Sequence, residues 1–97
     1  MQSIRVTAQL WVKESQFDDF ATFEIAAFAI MKTHGGFVRH IEKNHDARDG
    51  QPHEIHTLIF PNIAAFEAYK ADQDLLALAA LRQKCIAKTE VSVEPNA

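Results

Sequence analysis

Residues 53–82 read HEIHTLIFPNIAAFEAYKADQDLLALAALR. From Glu54 to Phe60 the residues alternate as in a strand, with His56, Leu58 and Phe60 on one face and Ile55, Thr57 and Ile59 on the other. Asn62 follows Phe60-Pro61 and is placed to cap a helix in which Ile63, Ala65, Phe66 and Tyr69 share a side. Asp72-Gln73-Asp74 reads as a break, after which Leu75, Leu76, Ala79, Arg82, Gln83 and Ile86 continue the pattern. A strand running into a capped helix is one unit of structure, and the upstream half carries an earlier copy.

In that earlier copy, Ile4, Val6, Ala8, Leu10 and Val12 alternate with Arg5, Thr7, Gln9, Trp11 and Lys13. Ser15 is the expected cap of a helix from about residue 16 to residue 34, with Asp18 and Asp19 in its first turn and Gly35-Gly36 as its stop. Phe17, Phe20, Ala27, Phe28 and Met31 gather on one side of it. Phe37–Lys43 predicts a second strand, residues 44–52 a turn centred on Asp49-Gly50, and Thr89, Val91 and Val93 a last strand. The order β-α-β-β-α-β gives an α+β, ferredoxin-like arrangement in one domain, 1–97: a four-stranded antiparallel sheet with both helices on one face. The other face holds Trp11, Ile55, Thr57 and Ile59, and a sheet-against-sheet homodimer is the economical way to cover it.

Composition narrows the function classes. The 97 residues are 47% hydrophobic, include seven Phe and are 24% charged, which suits a globular core. A net charge of −3, with no cluster of Lys and Arg, argues against a nucleic-acid partner. The longest apolar run of the first helix, Ile25–Met31, is too short to span a bilayer, so no membrane role is expected. Cys85 has no cysteine to pair with, and Met1 leads into a strand pattern rather than a signal peptide. The expected compartment is the cytoplasm.

The chain resembles the dimeric α+β barrel (ferredoxin-like) superfamily. Within it, His34-Gly35-Gly36, Phe60-Pro61-Asn62 and the run from Ala64 through Tyr69 to Ala80-Leu81-Arg82 resemble a short family of uncharacterised function. The Phe66-Glu67-Ala68-Tyr69 opening of the second helix is also similar to the antibiotic-biosynthesis monooxygenase family. The resemblance implies a ligand cleft between helices and sheet. It implies no single reaction, because the superfamily holds cofactor-free oxygenases, haem-degrading enzymes, isomerases and plain ligand binders.

Glu24 is the most unusual residue choice, a carboxylate in the middle of an apolar helix face with Phe20 and Phe28 a turn away. Burial would raise its pKa and suit it to proton transfer. A slightly rotated helix, or an ion pair with Arg82 or a histidine, explains it without chemistry. If Phe60 points to the helices, so does His56, which then faces Glu24 as a carboxylate-held general base; an ordinary core histidine is the plainer reading. His34 ends the first helix, where capping accounts for it, although the resemblance sets it beside the cleft. Arg82 offers a fork for a carboxylate ligand or an ion pair for Glu24, Asp72 or Asp74. Cys85 reads as a small core residue.

A metal is not called for. His53 and His56 point to opposite faces of a strand and cannot chelate one ion, and the zincin spacing is absent. An iron centre of His40, His56 and Glu24 requires His40 to stand opposite His56. No cofactor motif appears, although haem on a single histidine is conceivable. Two functions follow. One is a cofactor-independent oxygenase or isomerase of a small acidic or aromatic compound: Glu24 and His56 move protons, Arg82 and His34 contact the ligand, and Phe20, Phe28 and Tyr69 shape the cavity. The other is a non-catalytic ligand-binding or structural dimer in which the same residues only pack. Glu24 and His56 facing one cavity, or not, separates them.

Overall fold

A computed structural model describes residues 3–48 and 50–96. In chain order the elements are β1 (Ile4–Val12), α1 (Phe17–Thr33), β2 (Phe37–Lys43), β3 (Glu54–Phe60), α2 (Ile63–Lys70), α3 (Gln73–Leu76), α4 (Ala79–Cys85) and β4 (Ile86–Pro95). The strands form one antiparallel sheet in the order β2-β3-β1-β4. This is the expected α+β topology, with two central strands from the two halves of the chain.

Local chemistry sets the helix ends. Asn62 Oδ1 accepts the Ala65 N–H at 2.8 Å, the expected cap of α2. Gly35, at φ +76°, takes the left-handed turn that closes α1; its N–H donates to Lys32 O and that of Gly36 to Met31 O, a Schellman closure. Gly36 is required by space as well: a Cβ there would lie 2.6 Å from the Phe60 ring and 2.7 Å from Met31 Cγ. The cap expected at Ser15 is not made. Ser15 itself is left-handed, at φ +63°, and Gln16 occupies the cap position without a side-chain hydrogen bond. The break expected at Asp72 is real, since its Oδ1 accepts the Asp74 N–H at 2.8 Å and starts α3. Leu78 then begins α4, so the second helical stretch is three pieces. The expected turn centre falls partly on Asp49, outside the described residues; Gly50 is left-handed at φ +80°.

Register decides which side chains meet. Ala8 is paired with His56 on one side and Val91 on the other, Val6 with Leu58 and Val93, and Leu10 with Glu54 and Thr89. Partners across a ladder share a face, so these residues all look toward the helices. An irregularity between Val38 and His40 puts Ile41 opposite His56 and His40 opposite Thr57. His40 is therefore on the helix-free face and exposed, which removes the iron centre of His40, His56 and Glu24.

Two apolar clusters hold the layers together. One contains Val6, Met31, Leu58, Phe60 and Phe66. The other contains Leu10, Val12, Phe20, Cys85 and Ile86. Between them the facing positions are small: Ala8 on β1, Ala27 on α1, Ala79 on α4. Space is left there. On the helix-free face, Trp11 donates its Nε1–H to Gly50 O at 2.8 Å and lies under Lys88 Nζ, so its indole is partly covered by its own chain.

Candidate functional site

The gap between the clusters is a cavity of about 390 Å³. Glu24, His56, Phe20, Phe28, Tyr69 and Arg82 all line it; His34 is not among the lining residues. His34 caps α1 instead, and its Nε2 lies 2.7 Å from Asp72 Oδ2, tying the end of α1 to the start of α3. That contact holds the Asp72 carboxyl below its ordinary range.

Glu24 comes inward from the middle of α1, and its Oε2 lies 2.9 Å from His56 Nε2. The imidazole is fixed between two rings, nearly parallel to Phe20 at 6.4 Å and edge-on to Phe28 at 5.5 Å. A third group completes the set. Glu54, two residues before His56 on the same strand face, accepts from His56 Nε2 at 2.8 Å through Oε1. Its Oε2 accepts from His45 Nε2 at 2.7 Å. The His56 N–H is directed at Glu54. Glu24 Oε2 lies within reach but off that line, buried and without a hydrogen bond of its own.

Charge is divided unevenly among the three buried groups. Burial raises the Glu24 pKa; the His56 contact opposes this and the neighbouring Glu54 carboxylate reinforces it, so the net shift is upward. Burial pushes Glu54 the same way, but its neighbours Glu24, His56 and His45 outweigh it and hold Glu54 below its ordinary value. Burial would lower His56, yet its contacts with Glu24 and Glu54 raise it. The arrangement favours an ionised Glu54, a protonated His56 and a Glu24 that holds its proton longer than a surface carboxyl does.

Glu24, Glu54 and His56 bring possible ligand atoms within 4.8 Å of one another. Both carboxylates approach the same nitrogen, at 2.8 and 2.9 Å.

The outer part of the cavity is different. Arg82 donates from Nη2 to Thr89 Oγ1 at 2.7 Å. Among the described residues no carboxylate lies within 4.0 Å of its guanidinium, so neither Glu24, Asp72 nor Asp74 pairs with it. Tyr69 stands nearby with its phenol pushed up to about 12 by burial, against an opposing pull from Arg82. Cys85 is fully buried, donates to Leu81 O, and its thiol is raised by burial.

Glu54 and His45 are the site residues that sequence reasoning misses. Alternation alone puts Glu54 on the face of His56, so its signal is present. His45 belongs to the turn between β2 and β3 and reaches Glu54 with its ring packed on Phe17, at 4.4 Å between centroids.

No family model and no curated protein matches the sequence. Solved structures do. A protein of unknown function from Rhodopseudomonas palustris superposes with a TM-score of 0.82 at 12% identity, covering 99% of this chain and 83% of that one. A dabb family protein with a ferredoxin-like fold from Mesorhizobium loti gives 0.67 at 22% identity, over 97% and 96%. A proposed antibiotic-biosynthesis monooxygenase from Nitrosomonas europaea gives 0.77 at 11% identity, over 98% and 90%. The chain has a ferredoxin-like fold. At such identities the likeness reaches the fold and stops there.

Proposed function

We propose that the protein binds a small acidic or aromatic molecule in the cavity and transfers a proton to or from it without a cofactor, as an isomerase or oxygenase. The observation that carries this is that Glu24 and His56 meet in one cavity that also reaches Arg82, a guanidinium with no carboxylate partner among the described residues. A carboxylate ligand would sit at Arg82 and direct its body inward between Phe20, Phe28 and Tyr69, toward Glu24. Moving a proton within the ligand is an isomerisation. Removing one leaves an electron-rich anion that dioxygen can attack, which links the same site to oxygenase chemistry. The description of the Nitrosomonas europaea neighbour as a monooxygenase is in keeping with a small organic substrate.

The working unit in this proposal is a cytoplasmic, single-domain homodimer joined through the helix-free sheet face. Phe37 is exposed there, and Ile55 and Thr57 are only partly covered. An unpaired Cys85, buried and reduced, suits a reducing compartment.

Thermal-shift measurements with benzoate, salicylate and phenylacetate test the binding claim. The wild type is expected to gain several degrees at saturating ligand. Arg82→Gln should lose most of that gain and keep its own melting point. A wild type stabilised by none of these acids, or an Arg82→Gln response equal to wild type, contradicts the proposal. Binding that Glu24→Gln leaves unaltered, with no turnover in either protein, favours the non-catalytic ligand-binding module.

A further inference from the structure

We propose that Glu54 and His45 form the outer half of this site, a proton path from solvent to Glu24 that bypasses the cavity. The inference rests on the proton-transfer reading above. Its geometry is three successive contacts: hydrogen bonds from His45 Nε2 to Glu54 Oε2 at 2.7 Å and between His56 Nε2 and Glu54 Oε1 at 2.8 Å, then a close approach of Glu24 Oε2 to the same His56 Nε2 at 2.9 Å. Exposure changes along it as a path requires. The His45 side chain is 42% exposed, Glu54 1%, His56 5%, and Glu24 faces the cavity at 14%.

A ligand filling the cavity separates Glu24 from water, because the surrounding wall is mostly apolar. Glu24 can then give up one proton and has no solvent to recover another. The path supplies it. Glu24 donates its proton to the ligand; the His56 N–H then swings from Glu54 toward Glu24 Oε2, 2.9 Å away, and passes its Nε2 proton there. Water protonates His45 at Nδ1, and His45 passes its Nε2 proton to Glu54 Oε2. A turn of the Glu54 carboxyl about its last bond carries that O–H to the His56 side, where the bare Nε2 accepts it. One proton has entered from water, one has reached the ligand, and Glu54 is again ionised. His45 returns to its starting tautomer by exchange with solvent.

A structural role alone accounts poorly for this arrangement. A carboxylate at 1% exposure is costly to bury, and packing on β3 needs no acid there. Of the other charged groups near the path, Lys43 is the register partner of Glu54 on β2 without being in its ion-pair set, and Arg82 and Lys70 line the far part of the cavity. His53 is occupied elsewhere, its Nδ1 accepting the Val12 N–H at 3.0 Å.

Exchange of the His56 Nε2 proton with water, measured by nitrogen-15 NMR on the ligand-free, chelator-treated full chain, tests the path. His45→Gln keeps an N–H donor for Glu54 but carries no proton through; His45→Ala removes both. With backbone spectra unchanged, both variants are expected to exchange about tenfold more slowly or worse. Added imidazole should restore His45→Ala. Wild-type exchange in His45→Gln overturns the proposal, as does a slowing in His45→Ala that imidazole leaves in place. Failure of the aromatic acids to bind would defeat the proposed function and leave this measurement intact.

Discussion

Glu24 Oε2 and His56 Nε2 lie 2.9 Å apart, one supplied by the first helix and the other by the third strand. Nothing in the chain joins them locally. The register that sets Ala8 against His56 and the inward face of α1 bring them together. The chemistry therefore depends on the whole fold, and perturbing either layer should reach it.

Stability should peak in mildly acidic solution. Glu54 is held below its ordinary value of 4.5, so its contribution is present above that pH and lost as the pH falls through its folded value. The lowered Asp72 acts in the same sense. His56 is raised above 6.5, so its contribution is present below that pH and lost as the pH rises through its folded value. Glu24, raised above 4.5, also loses stabilisation as the pH rises. Urea midpoints across the acid and neutral range should trace a maximum, and Glu54→Gln should flatten both sides of it. An unaltered profile in that variant contradicts the assignment.

Glu54→Gln should also be costly in itself. It removes the charge that two imidazoles address and leaves a buried amide with mismatched partners, for a loss of about 3 kcal/mol. Urea unfolding measures the loss, and NMR titration of His56 should show its midpoint moving down. A variant as stable as wild type would mean that the carboxylate is not ionised in the folded protein.

Gly36→Ala tests the packing beneath the site. The added methyl meets Phe60 and Met31 well inside contact distance, and such overpacking costs about 1–3 kcal/mol. A melting temperature equal to wild type would show that the end of α1 has more room than its distances imply.

The proposed dimer is checked by mass in solution. Light scattering at micromolar concentration should give twice the chain mass, and a charge placed at Phe37 should lower it toward one chain. A monomer at that concentration would leave the helix-free face without the proposed partner.

The order of elements, the Asn62 cap and the Gly35 stop are legible in the amino-acid sequence, because they depend on alternation and on local backbone chemistry. The inward direction of Glu24 follows from helical spacing. What local patterns miss is long-range. The irregularity between Val38 and His40, which composition does not encode, moves His40 to the far face. His45 lies in a turn and meets Phe17, a residue distant in sequence, only in the folded chain. Glu54 shares the inward face of His56 by alternation, but only the folded turn supplies the second histidine that gives its carboxylate a role. Ser15 fails as a cap because the chain turns left-handed there to enter α1.

The most direct test of the central claim is a carbon-13 titration of the Glu24 side-chain carboxyl in wild type and His56→Gln. Glu24 is expected to titrate above 4.5 in the wild type. In His56→Gln it should move higher still, since the imidazole favours its ionised form. Titration at the ordinary carboxyl value, unmoved by the His56 substitution, would show that the two residues do not act together.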